Sequence, residues 1–393
     1  MTDPRPLVVH VVTRLELGGA QQGTLDTCRR LDRRRFRVAL LAGPDGRLDS
    51  EAARIPDLDF RLVAALDRPV RPWRDYRAYR TLVEHLRDLR GASAAATIVH
   101  THSSKAGILG RLAAPEAGVR HVVHTVHGFG HAAFRSSGLR RIACAAERRA
   151  ARRTSHVVCV SEANRAEGER RRLFGDAEVS VIRSGFDVAR FRRPGVDRRE
   201  ARRRLGLPAA APVVGTVACL KPQKDPVSFV RTAAAVRRNE KEARFVLVGD
   251  GALRERLRFE ADRLGDAAAV ELLGWRDDVA EILPALDVFL LTSRWEGLPR
   301  AVVQAMAAGV PVVASAVDGV LDVVEDDETG LLVEPGDVPG FARAVRRLLD
   351  DRTTSVRLSR AAAAIPDAFG VDEMVDRIEG VYERLLRTDG STA

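Results

Sequence analysis

Two short segments of this chain carry residue types suited to an anionic, polyhydroxylated ligand. One is Ser293 to Ser315, where the turn Glu296-Gly297-Leu298-Pro299 precedes an apolar helical run and the strand-like Val310–Ala314. Pro299 suits the first turn of a helix, and Gly309 suits its C-terminal end. A carboxylate, flexible backbone and a positive helix N-terminus therefore meet at one place, a combination that binds hydroxyls or phosphate. The other segment is Lys221-Pro222-Gln223-Lys224. The chain has only four lysines (Lys105, Lys221, Lys224 and Lys241) among 64 basic residues. A lysine kept in so arginine-rich a sequence marks a place for a compact ammonium, and Lys224 is the preferred phosphate partner.

Further turns bring backbone N–H groups toward a ligand. They are Leu17-Gly18-Gly19-Ala20, Gly249-Asp250-Gly251 and Gly274-Trp275-Arg276, the last able to hold a planar base through Trp275. None is the Gly-x-Gly-x-x-Gly of a dinucleotide site. Five of the nine histidines lie in His100-Thr101-His102-Ser103-Ser104-Lys105 and in His121 to His127. Their spacing admits a metal. Yet no Cys, Asp or Glu stands beside them, and His124 and His127 would leave a strand on opposite faces. Sugar or acceptor contacts by His102, Ser103, Lys105 and His127 are the stronger reading, and no metal site is assigned.

Strands must end beside each of these turns. Apolar runs predict strands at Leu7–Thr13, Phe36–Ala42, Phe60–Ala64, Thr97–Thr101, His121–Val126, Val157–Ser161 and Val179–Arg183. After an Arg-, Pro- and Gly-rich stretch they resume at Val213–Ala218, Phe245–Gly249, Val270–Leu273, Val288–Leu291 and Val310–Ala314. Helical periodicity fills the gaps, so the fold class is α/β with parallel sheets covered on both faces. Two doubly wound, Rossmann-like domains follow: residues 1–187, a linker at 188–212, and 213–370. A last helix follows over 371–388. Ligands of such sheets lie beyond the carboxyl ends of the strands, and two such domains facing one another would form a cleft.

Composition narrows the function classes. Residues 1–190 hold 34 Lys/Arg against 21 Asp/Glu, whereas the remainder holds 30 against 33. The basic first half could face an anionic membrane, above all through the predicted helix Leu139–Arg153, where Leu139, Ile142 and Ala146 alternate with arginines. Arg202-Arg203-Arg204 reads as a solvated face. Aromatic content of 5% and the lack of an interleaved basic–aromatic block argue against nucleic acid. Four scattered cysteines without a Cys-x-x-Cys fit a reducing cytoplasm. The sequence assigns no oligomeric state.

Taken in order, the motifs resemble those of the retaining GT-B glycosyltransferases of the family 4 type. The matching blocks run from Gly18-Gly19 through the His102 region, Thr125-Val126-His127, Val160-Ser161-Glu162, Ser184–Asp187, Leu220–Lys224, Val248–Gly251, Gly274, Ser293–Glu296 and Ala305–Pro311 to Thr329-Gly330-Leu331. The resemblance implies a nucleotide-diphosphate sugar as donor, a glycosyl acceptor and no cofactor, and it groups the last helix, 371–388, with the first domain. It implies that Glu296 contacts sugar hydroxyls and Lys224 the diphosphate, with His127 near the reacting centre. It further implies that Gly18, Gly19, Gly249, Gly274, Trp275, Arg276, Gly297, Leu298, Pro299, Arg300 and Gln304 line the donor. Two positions depart from the family pattern. Gln304 stands where a second glutamate is common, keeping an acceptor oxygen without its charge, and Cys219 stands where an arginine often precedes the lysine. Arg276, Arg294 or Arg300 are the candidates to replace that cation. A catalytically silent sugar-nucleotide-binding protein and a GT-B epimerase or phosphorylase are the competing readings.

Overall fold

The computed structural model describes residues 3–91, 95–134, 136–265, 269–364 and 369–390. The chain divides into two units, residues 1–186 with 370–393, and residues 187–369. Unit 1 alternates strands and helices: β1 (Leu7–Arg14), α1 (Gly19–Arg30), β2 (Arg37–Gly43), α2 (Asp49–Ala52), β3 (Leu58–Leu62), α3 (Pro72–Arg90), β4 (Thr97–His102), α4 (Ser104–Glu116), β5 (His121–Val126), α5 (Ser137–Ala151), β6 (His156–Cys159), α6 (Glu162–Arg170) and β7 (Glu178–Val181). All pairings are parallel, in the order β3-β2-β1-β4-β5-β6-β7. The order reverses between β1 and β4, so the loops after these two strands diverge and leave a crevice at the carboxyl edge.

The near-continuous Val, Ile and Leu of these strands is required because both faces are covered. Val8 and Val12 enter one core with Ile98 and Val123, while Val9, Val11 and Val99 enter the other.

Unit 2 contains α7 (Val188–Arg192), α8 (Arg198–Arg204), β8 (Val213–Val217), α9 (Pro226–Arg237), β9 (Arg244–Val248), α10 (Arg254–Arg263), β10 (Val270–Gly274), α11 (Val279–Ile282), β11 (Val288–Leu291), α12 (Arg300–Ala307), β12 (Val312–Ser315), β13 (Leu331–Val333), α13 (Val338–Asp350) and α14 (Arg352–Ala363). Its parallel sheet runs β10-β9-β8-β11-β12-β13, with the switch point between β8 and β11. The last helix, α15 (Val371–Gly390), packs on unit 1, where Met374, Val375, Ile378, Val381 and Tyr382 join the β1–β2 core. That placement is the one the resemblance implies.

Residues 188–212, read as a linker, instead fold as α7 and α8 within unit 2. Asp187 and Asp197 cap them through side-chain oxygens that accept from Arg190 N and Glu200 N. Their buried face is short, which is why no periodicity was visible. Arg202, read as solvated, is buried and donates to the Ala285 and Ala209 carbonyls and to Asp287. Only Arg203 and Arg204 lie at the surface, both paired with Glu200. The three-residue β13 is too short to announce itself.

Candidate active site

The switch point of unit 2 holds the two residues singled out by their chemistry. Lys224 leaves the loop after β8 and Glu296 the loop after β11, and Lys224 Nζ donates to Glu296 Oε1 at 2.5 Å. Ser293 Oγ donates to the same oxygen at 2.5 Å. The Glu296 side chain is only 4% exposed and that of Lys224 19%. The carboxylate is therefore held by charge-assisted bonds in a place shielded from water, while the ammonium keeps an open side.

Backbone and side-chain bonds fasten the two loops together. Arg294 N donates to Gln223 O at 2.8 Å, Gln223 Nε2 to Trp295 O at 2.9 Å, and Thr292 Oγ1 to Asp225 O at 3.0 Å. Asp225 takes a left-handed conformation, φ 41°, which turns the chain from Lys224 into α9. A third loop closes over Glu296: its N–H donates to Asp318 Oδ2 at 3.3 Å, and a Cβ on Gly319 would stand 1.8 Å from Gly297 O. Asp318 escaped the sequence reading; an Asp-Gly pair after β12 was its only signal.

The remaining donor-side candidates gather along the same carboxyl edge. Gly249, φ 135°, donates to Gly274 O at 2.7 Å, and a Cβ on it would lie 2.0 Å from Ala218 O, so only glycine lets the β8 and β9 loops approach. Trp275 follows β10 and is half-buried. Pro299 is the N-cap of α12 rather than its first residue; Gly297 and Pro299 are buried, and Leu298 and Gln304 half-buried. Gly309, φ 72°, ends the helix as expected: its N–H reaches Met306 O and that of Val310 reaches Ala305 O. None of the three candidate replacement arginines stands as an uncommitted surface cation. Arg276 is paired with Asp278 and Arg294 with Asp225, while Arg300 is buried at the start of α12.

In unit 1 the candidates fall at the β1/β4 switch point. Gly18 caps α1 in an extended conformation and Gly19 begins it, so neither is needed for a positive φ; a Cβ on Gly18 would meet Gln21 Oε1 at 2.8 Å. Ser103 does take φ 61°, and its Oγ lies 2.7 Å from Thr13 Oγ1. Lys105 is claimed by its own unit, bonded to Asp75 at 2.5 Å, to Asp67 at 3.5 Å and to the Pro69 carbonyl. These bonds tie it to α3 and to the loop before that helix. His124 and His127 do face opposite sides. His124 Nδ1 meets Thr101 Oγ1 at 2.9 Å, under Gly107, whose missing side chain makes the room. His127 Nε2 meets His102 Nδ1 at 3.2 Å.

His10, absent from the sequence reading, joins this group: its Nδ1 lies 3.0 Å from His102 Nε2. The signal was there, a single polar residue inside Leu7-Val8-Val9-His10-Val11-Val12. Among the described residues, His10, His100 and His102 are the one cluster whose nitrogens, within 4.8 Å of one another, could meet at a metal. All three are fully buried, and burial holds them neutral: the pKa of His10 falls to about 3, and those of His100 and His102 well below the usual value.

Comparison with known proteins agrees with this geometry. Residues 17–190 match the family described as Glycosyltransferase Family 4, and residues 197–364 that described as Glycosyl transferases group 1. The chain is 34% identical over 289 residues to the UDP-Gal:alpha-D-GlcNAc-diphosphoundecaprenol alpha-1,3-galactosyltransferase of Escherichia coli, covering 72% of this chain and 74% of that protein. Its fold is similar to that of Anabaena Alr3699/HepE in complex with UDP-glucose, with TM-score 0.81, 22% identity, and coverage of 96% of this chain and 99% of that one. It is similar also to sucrose-phosphate synthase from Thermosynechococcus elongatus, with TM-score 0.82, 21% identity, and coverage of 98% and 100%. The chain is a glycosyl-transferring enzyme with the GT-B fold, and it belongs to glycosyltransferase family 4.

Proposed function

We propose that the enzyme transfers a sugar from a nucleoside-diphosphate donor to an acceptor hydroxyl, with retention and without a metal. The observation that carries this is the Lys224–Glu296–Ser293 group at the unit 2 switch point, beside the N-terminus of α12. Departure of a nucleoside diphosphate develops negative charge on the leaving oxygens. A preformed ammonium and a helix N-terminus stabilise that charge without reorganising. Glu296 accepts hydrogen bonds from hydroxyls of the sugar, and His127 is the unit 1 residue given a role near the reacting centre. The solved structure holding UDP-glucose supports a uridine donor for this fold. Incubation with a panel of nucleotide sugars and hydroxyl acceptors tests the assignment: a glycoside with the donor's anomeric configuration is expected. Binding without turnover, or an epimerised or phosphorolysed product, would instead favour one of the competing readings.

Lys224 and α12 take the place that a cation would fill, so activity is expected to be unchanged in EDTA. Strict dependence on added Mg²⁺ would overturn that part of the mechanism.

A lipid-linked acceptor is the second part of the proposal, and the named acceptor of the E. coli relative, a diphosphoundecaprenol, supports it. No helix among the described residues is long and apolar enough to cross a membrane. The start of α5, residues 137–142, is however exposed throughout, with Leu139 at 50% and Ile142 at 67% beside Arg140 and Arg141. Further along the helix, Cys144, Glu147, Ala150 and Ala151 are buried and anchor it. Such a surface seats in an anionic interface. The protein is expected to sediment with anionic vesicles at low salt, and the Leu139→Glu/Ile142→Glu variant to remain in solution. Equal sedimentation of both proteins would remove the membrane assignment.

A further inference from the structure

His10, His102 and His127 form a continuous hydrogen-bonded row from the middle of β1, across β4, to the residue after β5, with contacts of 3.0 and 3.2 Å. Each contact joins two imidazole nitrogens, so one must carry the proton and the other must accept. The row can therefore point only one way at a time.

If His10 donates, then His102 accepts at Nε2 and donates from Nδ1, and His127 accepts at Nε2. In the reverse direction the His10 proton moves to Nε2. That atom is buried without a hydrogen-bonding partner. The nearest candidate, His100, is already occupied, its Nδ1 by the Tyr382 hydroxyl at 2.6 Å and its Nε2 by Thr125 Oγ1 at 2.7 Å. A buried N–H without an acceptor is the rarer and costlier orphan; an unused lone pair is tolerated more often.

A metal at His10, His100 and His102 is the rival explanation. The ring planes lie within 13° to 35° of one another, with centroids 4.3 to 5.3 Å apart. The His10 and His102 rings stack, both are tilted against His100, and apart from His10 Nε2 the nitrogens of the three rings are held in hydrogen bonds. No carboxylate belongs to the cluster to offset a divalent charge in the sheet interior.

We propose that the buried His10–His102 pair sets the tautomer of His127, with Nε2 as acceptor and the proton on Nδ1. This rests on the role given to His127 above and sharpens it. With the proton on Nδ1 the ring is a hydrogen-bond donor at that atom and cannot act there as a base. His102 is then a positioning residue, working through His127.

Nitrogen NMR of the full chain, labelled with ¹⁵N-histidine and assigned with His127→Gln, reads the tautomer directly near neutral pH. A protonated Nδ1 and a bare Nε2 are expected for His127; a protonated Nε2 would overturn the proposal. In His102→Leu the row is cut, so His127 should show mixed tautomers and kcat/KM should fall about tenfold. His102→Gln, which can still accept on one side and donate on the other, should restore both. An unchanged His127 spectrum in His102→Leu would also overturn the proposal. The wild-type spectrum decides even if that variant does not fold. It needs no turnover, so a protonated Nδ1 in a protein that transfers no sugar would condemn the proposed function and leave the row standing.

Discussion

Lys224→Ala and Glu296→Ala are each expected to lower kcat for sugar transfer at least about tenfold, and the double variant to lose less than the product of the two. The non-additivity follows from the geometry. One carboxylate oxygen receives both Lys224 Nζ and Ser293 Oγ, so removing either charge disturbs the same arrangement. The two single variants should differ in stability. Lys224→Ala leaves a carboxylate in a site only 4% exposed with Ser293 as its remaining side-chain donor, and breaking a buried pair in this way costs about 3–5 kcal/mol. Glu296→Gln keeps an oxygen for both donors and frees an ammonium that already reaches solvent. It should therefore lose activity while melting closer to the wild type. Steady-state kinetics and thermal melts on the same preparations separate the effects. Near-normal turnover by both alanine variants would remove the site assignment.

Unit 1 is expected to lose stability steeply in acid. His10, His100, His102 and His124 are fully buried and held neutral, chiefly because burial excludes the charged form. Arg33 beside His10, Arg111 beside His124, and the histidines beside one another oppose protonation further. Above the unfolded value of 6.5 both states are neutral and the groups contribute nothing to the pH dependence. Below it the unfolded chain takes up protons that the fold refuses. Stability then falls by about 1.4 kcal/mol per pH unit for each group, and keeps falling until the folded values are reached, near 3 for His10. By about pH 5 the four together would remove roughly 8 kcal/mol, comparable with the whole stability of a domain. Scanning calorimetry across pH 7 to about 5 should show the melting temperature of unit 1 dropping throughout, and a flat profile would show that these rings accept protons in place.

Much of this was legible in the chain. The run of elements and the parallel sheets follow from patterns of a few residues, such as Val288–Leu291 ending in Thr292-Ser293; the return of the last helix to the first unit was legible only through the family resemblance. The turns that carry Lys224, Glu296 and Gly249 were readable for the same reason: a strand's carboxyl end is a local property. The segment 188–212 was not legible, because α7 and α8 bury only a few side chains each and rely on Asp187 and Asp197 caps among residues that read as loop. The partners of Lys105, Asp67 and Asp75, were not legible either, because they lie on other elements.

By itself, then, the sequence determined the alternation of strand and helix, the positions of the sharp turns and the residue types waiting at them, since propensity, capping and side-chain chemistry act over neighbouring residues. Only the tertiary structure decided which strands stand side by side, and with that the pairing of Lys224 with Glu296 across β8 and β11 and the alignment of His10 with His102 across β1 and β4. The physical reason is that hydrogen bonds and ion pairs are effective only within a few ångströms, and which distant residues come that close is settled by the packing of whole sheets.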